Sequence, residues 1–588
     1  MALPKTSHAA PAVQRMRLWY SFVLAIIVIF GLRLFYVQII RYDHYKNAAL
    51  SDQLKQYEIP ARRGIIEAHD GDKILPIVLN QKLYTLYADP TYINNPDSVA
   101  QKLGPIVGNK TDYAQLLKTK KTRYVVLAKK ITEQQSQQIL ALKYPGVGTI
   151  AQDYRTYPQG SLAAQLLGFV DDSGAGQYGI EQDLNNSLKG KPGQLRAITD
   201  ASGVPLAASK NNIQTAPQNG QDQILTIDLA MQQQLETVLQ QGVKDSKASG
   251  GSAIIIDPNT GAVKAMANAP TYDPAHYSEV ANSGDFQNNA VAKPIEIGSI
   301  MKTLTTAAAL DQGVIGPATS YFDPSFWVVD GFRITNIEGD GGPGSRNIAD
   351  ILNLSLNTGA TWELMQMGGG AINQKGRDAW HDYMTKHYRL GQATGIEQGY
   401  EATGYIPSPA ENGAGINLTY ANTAFGQAMT ATPIQMAAAL SAVLNGGTYY
   451  QPHLIEQTVD ASGQTTTIRP KILEQNVVAP EVSQAMIPLM QFVIAHHVIG
   501  PSFDQTKYIV GGKTGTAQIA KPSGGYADNE FNGSYVGFVG GDKVQYVIVV
   551  FVDKPTNGGY AGTAAAQPIF AGLAHMLIND SYVMPKTH

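Results

Sequence analysis

The chain has 588 residues, 44% of them hydrophobic and 15% charged, which is enough apolar material for two or three folded domains and excludes a disordered protein. A formal net charge of −3 without any basic stripe excludes a nucleic-acid-binding class. The absence of cysteine removes thiol nucleophiles, disulfides and cysteine-ligated metals together, and it suits a life outside the cytoplasm.

The first predicted element is a membrane span. Residues 18–32 (LWYSFVLAIIVIFGL) carry no charge, and residues 34–37 extend the run past Arg33. A spanning helix needs roughly 20 mostly apolar residues, a length reached if Arg33 snorkels to the interface. Lys5, Arg15 and Arg17 precede the run without an acidic residue, so the N-terminus is expected in the cytoplasm and the remainder outside. A cleaved signal peptide is the rival reading, but Arg33-Leu34-Phe35-Tyr36 is bulky where a cleavage site needs small residues. The expected division is a cytoplasmic tail at 1–17, a transmembrane helix at 18–40, an extended pedestal at 41–221 and a catalytic domain at 222–588.

The pedestal is rich in turn signals such as Asp70-Gly71 and Lys191-Pro192-Gly193, and its clearest helix is residues 132–143. A strand at 223–228 leads to Asp228, placed to cap a helix whose Leu229, Gln232, Leu235 and Leu239 fall on neighbouring faces. Residues 252–257 and 262–266 flank the turn Pro258-Asn259-Thr260-Gly261 and read as a hairpin. A second hairpin at 533–539 and 544–552 contains a β-branched, aromatic run expected of a buried central strand. A closing helix over 566–578 tolerates Pro568 in its first turn. Strands at both ends with helices between them predict an α+β domain, an antiparallel sheet flanked by helices.

Three short patterns carry chemistry. Ser299 and Lys302 stand at i and i+3 of a predicted helix, one above the other, so the lysine amine can take the serine proton if burial or another cation lowers its pKa. Ser355 and Asn357 can face the same cleft from a turn or helix start, one relaying a proton and the other binding a substrate carbonyl. Lys513-Thr514-Gly515-Thr516 follows a strand-like run, where Gly515 makes room for a substrate backbone, Lys513 and Thr514 hold a carboxylate, and the Thr516 amide joins that of Ser299 as an oxyanion hole. Alone, each reads more safely as a helix cap, a surface lysine or a glycine-rich turn. Ser209-Lys210-Asn211 is a decoy for the second pattern, lying upstream of Ser299. In order, S-x-x-K, S-x-N and K-T-G form the set shared by penicillin-binding proteins and class A β-lactamases.

On these residues the chain resembles a class B penicillin-binding protein, a single-pass peptidoglycan D,D-transpeptidase. The likeness extends to Arg63-Gly64-Ile65-Ile66, to Arg155 with Tyr157-Pro158 and Gly160, to Gly179-Ile180-Glu181, and to Ala424-Phe425-Gly426-Gln427. It departs where Glu296-Ile297-Gly298-Ser299 lacks the usual proline, where Asn288-Asn289-Ala290 lacks a basic residue, and at Ala428. The resemblance implies a penicillin-binding, serine β-lactamase-like fold on an elongated pedestal, with Ser299 as nucleophile toward D-Ala-D-Ala stem peptides derived from lipid II, and Lys302 as its base. It implies that Ser355 and Asn357 assist, that Lys513 to Thr516 bind the donor carboxylate, and that β-lactams acylate Ser299. No cofactor and no metal are implied. The short 168–181 segment and Thr514 are similar to the division (septal) branch rather than the elongation branch, which implies a SEDS-family glycosyltransferase and other division proteins as partners. A β-lactam sensor or a catalytically dead scaffold is the non-enzyme alternative. His496-His497 reads as surface or core filler and Gly368-Gly369-Gly370 as a loop.

Overall fold

The computed structural model describes residues 10–46, 54–108, 111–119, 121–198, 213–336, 342–410, 413–497, 502–521 and 525–587. Lys5 and the decoy Ser209-Lys210-Asn211 lie outside them. The chain forms two compact units, Met1–Ala61 with Gly190–Asn219, and Arg62–Lys189 with Gly220–His588.

In the first unit the apolar run forms a helix, Ala10–Phe35, continued by a π-helical turn at Tyr36–Ile40. Arg15–Ile40 is long and apolar enough to cross a membrane, and its side chains are exposed rather than packed in a core. The same unit holds a three-stranded antiparallel sheet in the order Leu54–Ile59, Gly193–Ile198, Ile213–Thr215.

The second unit contains the catalytic sheet. Its five strands run in the order Val263–Ala269, Gly250–Ile256, Val544–Asp553, Tyr526–Gly540, Ile509–Ala520, and every neighbouring pair is antiparallel. Alternation along each strand sends side chains to opposite faces. On the central strand Ile548, Val550 and Val552 join one core with Leu235, Leu239, Phe570 and Leu573, from helices Leu229–Asp245 and Gln567–Asn579. Val547, Val549 and Phe551 join the other, with Leu304 and Leu440 from helices Met301–Asp311 and Pro433–Leu444. Burying each such side chain is worth about 1.5–3 kcal/mol, which explains why a strand covered on both faces is apolar throughout. Asp228 caps its helix as expected, accepting from the Met231 amide at 2.9 Å.

The pedestal and catalytic segments of this unit share one sheet and one core. Strand Asp222–Asp228 pairs in parallel with Ile66–Asp70 and antiparallel with Ile455–Val459. Ile66, Ala68 and Val78 pack in the same core as Leu225, Ile254 and Leu304. The step from 221 to 222 is therefore continuous in hydrogen bonding rather than a linker. Helix Glu133–Ala141 carries the Thr132–Gln135 capping box and belongs to a separate small core with Leu86, Leu103 and Leu127.

Beneath this junction lies a buried charge cluster built from the family-like residues of the pedestal. Glu181 accepts from Arg63 Nε at 2.8 Å and from Arg155 Nε at 2.7 Å, while Asn185 and Asn80 accept from the remaining guanidinium edges at 2.9 Å. Far apart in sequence, these residues pair with one another away from water, with Arg155 Nη2 left without a partner among the described residues.

Candidate active site

The turn that carries Ser299 begins at Gly298, whose φ of +65° suits glycine. A Cβ there would lie 2.7 Å from the Thr516 carbonyl oxygen, so the turn sits directly against strand Ile509–Ala520. Gly298–Ile300 is one 3₁₀ turn leading into helix Met301–Asp311, and it places Ser299 and Lys302 on one face. Lys302 is 0% exposed and Ser299 8% exposed.

Lys302 Nζ donates to Ser299 Oγ at 2.9 Å, to the Ser355 carbonyl at 2.6 Å and to Asn357 Oδ1 at 2.8 Å, with Ser355 Oγ at 3.2 Å. Its pKa is held well below that of an ordinary lysine, first by burial and then by the charge of Lys513, while Glu363 opposes the shift. The lowered pKa brings the neutral amine, whose lone pair can take the serine proton, within easier reach.

Ser355 connects the second and third motifs. Its φ of +56° is left-handed, a conformation uncommon outside glycine, and it presents both carbonyl and hydroxyl to Lys302. Lys513 Nζ donates to the same hydroxyl at 3.0 Å and to the Thr514 carbonyl at 3.0 Å. Lys513 is buried, and burial lowers its pKa to about 7. The Ser355 hydroxyl therefore lies between two amines and can pass a proton from one to the other. Asn357 is held at both ends, with Oδ1 on Lys302 and Nδ2 donating to the Thr335 carbonyl at 3.0 Å. Its first task in this arrangement is to orient Lys302.

Lys513 to Thr516 lie on the edge strand of the catalytic sheet, Lys513 and Gly515 buried, Thr514 and Thr516 facing the cleft. Gly515 has a different reason from the one expected. A Cβ there would meet Ser534 Oγ at 2.2 Å and the Ile297 carbonyl at 2.9 Å, so the glycine admits the turn that carries Ser299. Ser534 Oγ fastens that turn by donating to the Ile297 carbonyl at 2.9 Å. Gly426 makes the same kind of approach from the other side, its carbonyl accepting from the Gly298 amide at 3.0 Å.

Two of the departures from the family pattern, at Glu296-Ile297 and Asn288-Asn289, lie among partly buried polar contacts. Glu296 Oε1 accepts from the Ala428 amide at 2.9 Å and from the Tyr526 hydroxyl at 3.0 Å, and Oε2 is buried without a partner among the described residues. Burial raises its pKa. Asn288 lies in an amide chain with Asn268 at 2.9 Å and Gln398 at 3.0 Å.

Ser299 opens onto two cavities. One of about 240 Å³ is lined by Ser355, Thr514, Thr516, His497 and Gln567, and one of about 530 Å³ by Asn357, Phe332, Arg333, Gln427 and Gln518. His497, read from sequence as filler, donates from Nε2 to the Asn353 carbonyl at 2.8 Å and so braces the loop before Ser355. Glu363 was also missed. It is 0% exposed on helix Asn357–Met367, accepts from Thr306 Oγ1 at 2.9 Å, and is pushed up to about 8 by burial. Thr306 stands one turn after Lys302, so the helices bearing Lys302 and Asn357 are joined at two levels. A polar residue amid Ala360, Leu364 and Met367 was the only sequence signal for it.

Residues 251–575 match the penicillin binding protein transpeptidase domain, and residues 58–225 match the penicillin-binding protein dimerisation domain. Stage V sporulation protein D of Bacillus subtilis is 29% identical over 579 residues, covering 97% of this chain and 87% of that protein. The peptidoglycan D,D-transpeptidase FtsI of Buchnera aphidicola subsp. Schizaphis graminum is 27% identical over 574 residues, covering 96% and 94%. The crystal structure of penicillin binding protein 3 from Mycobacterium tuberculosis, complexed with aztreonam, shares the fold with a TM-score of 0.66 at 24% identity, covering 90% of this chain and 98% of that one. With both domains matched in order, this chain belongs to the penicillin-binding proteins, as a class B member of that family of serine D,D-transpeptidases.

Proposed function

We propose that this protein crosslinks peptidoglycan stem peptides through an acyl-enzyme on Ser299, in septal wall synthesis. The observation that carries the reading is the Lys302 amine, 2.9 Å from Ser299 Oγ in a site whose burial favours its neutral form. Lys302 takes the hydroxyl proton as Ser299 attacks the carbonyl of the D-Ala-D-Ala bond. The amides of Ser299 and Thr516 hold the oxyanion, and Lys513, Thr514 and Thr516 hold the terminal carboxylate. Ser355 relays the proton to the leaving D-alanine nitrogen as the C–N bond breaks. An amine from a neighbouring stem then takes the acyl group and frees Ser299.

The septal assignment rests on the short 168–181 segment and on Thr514, and with it come a SEDS-family glycosyltransferase and other division proteins as partners. The apolar helix anchors the chain with its N-terminus cytoplasmic, supported by Arg15 and Arg17 before the run. In functional terms residues 1–17 are the tail, 18–40 the anchor, 41–221 the pedestal and 222–588 the transpeptidase. β-Lactams acylate Ser299; the Mycobacterium tuberculosis protein of this fold has been crystallised with aztreonam and with ampicillin.

Fluorescent penicillin on the purified protein tests the nucleophile: labelling of the parent is expected and none of Ser299→Ala. Labelling that survives the substitution overturns the assignment. Turnover of a thioester donor separates an enzyme from a sensor, and a tagged protein spread evenly along the sidewall would overturn the septal role.

A further inference from the structure

Among the described residues the larger cavity beside Ser299 has one charged lining residue, and the three motifs do not use it. Arg333 lies on the hairpin Phe326–Val329 and Phe332–Thr335, whose second strand forms a wall of that cavity. The hairpin and the residue after it are fixed to helix Asn357–Met367 at three points. Asn357 Nδ2 donates to the Thr335 carbonyl at 3.0 Å, Trp327 Nε1 donates to the Thr358 carbonyl at 2.9 Å, and the Thr358 amide donates to Asn336 Oδ1 at 3.0 Å. The Arg333 guanidinium lies 3.9 Å from the centroid of the Phe326 ring. This contact holds the cation against the ring, and among the described residues its N–H edge has no hydrogen-bond partner, which suits it to a planar anion. Among the described residues Arg333 forms no ion pair, in contrast to Arg63 and Arg155. The other polar side chains lining the cavity include the neutral amides of Asn422, Gln427 and Gln518, which suit a peptide backbone.

We propose that Arg333 binds a carboxylate on the retained, acyl part of the donor peptide and makes the enzyme selective for donors that carry it. The direction of the donor follows from the edge strand. Its terminal carboxylate belongs at Lys513 and Thr514 and its scissile carbonyl beside Ser299 and Thr516. At about 3.3 Å per residue, the rest of the donor then runs toward Gln518 into the larger cavity. This inference rests on the transpeptidase reading above.

The test uses two thioester donors that differ only in a free carboxylate or a carboxamide on the acyl part. Acylation of Ser299 is followed by mass spectrometry in single turnover without an acceptor. In the parent protein the carboxylate donor should acylate about tenfold or more faster per unit concentration, the range for a hydrogen bond to a charged group. Arg333→Gln should bring the ratio close to one, Arg333→Lys should restore part of it, and Phe326→Leu should reduce it by loosening the guanidinium. Because each ratio is taken on a single preparation, any general loss of active protein cancels. A ratio near one in the parent, or one that persists in Arg333→Gln, overturns the proposal while leaving the transpeptidase reading intact. A change seen only when an amine acceptor is added moves the carboxylate to the acceptor and also overturns it. A parent that consumes neither donor overturns both readings.

Discussion

Two buried charge clusters in the same compact unit are assembled on opposite principles. In the pedestal, Glu181 receives two guanidiniums, and Asn80 and Asn185 take up further donors. In the active site, Lys302 and Lys513 are equally buried, but among the described residues neither forms an ion pair, and their acceptors are hydroxyl, amide and carbonyl oxygens. A paired charge keeps its proton state and serves as a clamp. An unpaired buried lysine is driven toward its neutral form at a cost in stability, and in the proposed mechanism that cost supplies the base.

Substitutions that break this contrast should separate activity from stability. The largest effect is expected from Lys302→Met, which should slow acylation by fluorescent penicillin about 10²–10⁴-fold, the share of a positioned general base. Its unfolding free energy should stay level or rise, because a buried amine without a counter-charge is exchanged for an apolar chain. A large loss of stability would show that Lys302 is paired after all. Glu181→Ala should do the reverse. It strands two buried guanidiniums and should cost about 3–5 kcal/mol in denaturant unfolding.

The next effect depends on pH. Glu363 titrates near 8 in the folded chain against 4.5 for an ordinary glutamate. Between those values the folded state keeps a proton that the unfolded state has released, so stability falls as pH rises, by up to about 1.4 kcal/mol per unit. Glu363→Gln removes that slope, and its stability relative to the parent should climb across the same window. A difference independent of pH would mean that the Glu363 carboxyl is already ionised in the folded chain. The smallest effect is expected at Glu296, which is only partly partnered. Tyr526→Phe removes one hydrogen bond and should cost about 1 kcal/mol in thermal unfolding.

Features carried by near neighbours in the chain were legible before folding. The Thr132 capping box, the Asp228 cap, both hairpins and the i, i+3 placement of Ser299 and Lys302 all follow from spacing within one turn or one strand pair. Residues whose meaning depends on distant partners were not. Glu363 reads as an ordinary helical glutamate until Thr306 closes over it. His497 reads as filler until its ring meets the Asn353 carbonyl. Arg333 had no signal at all, because its role depends on which cavity its hairpin borders.

By itself, the sequence determined the reaction class, through three motifs in order, and the apolar N-terminal run, since both are written in side-chain type and local spacing. Only the tertiary structure decided which of those groups act on one another. It set the Ser355 hydroxyl between amines 53 and 158 residues away in sequence. It also set Gly515 against the turn that carries Ser299 and paired Arg63 and Arg155 with Glu181. The physical reason is that proton affinity belongs to an environment, and burial and neighbouring charge are defined only once the sheet and its helices have closed around the site.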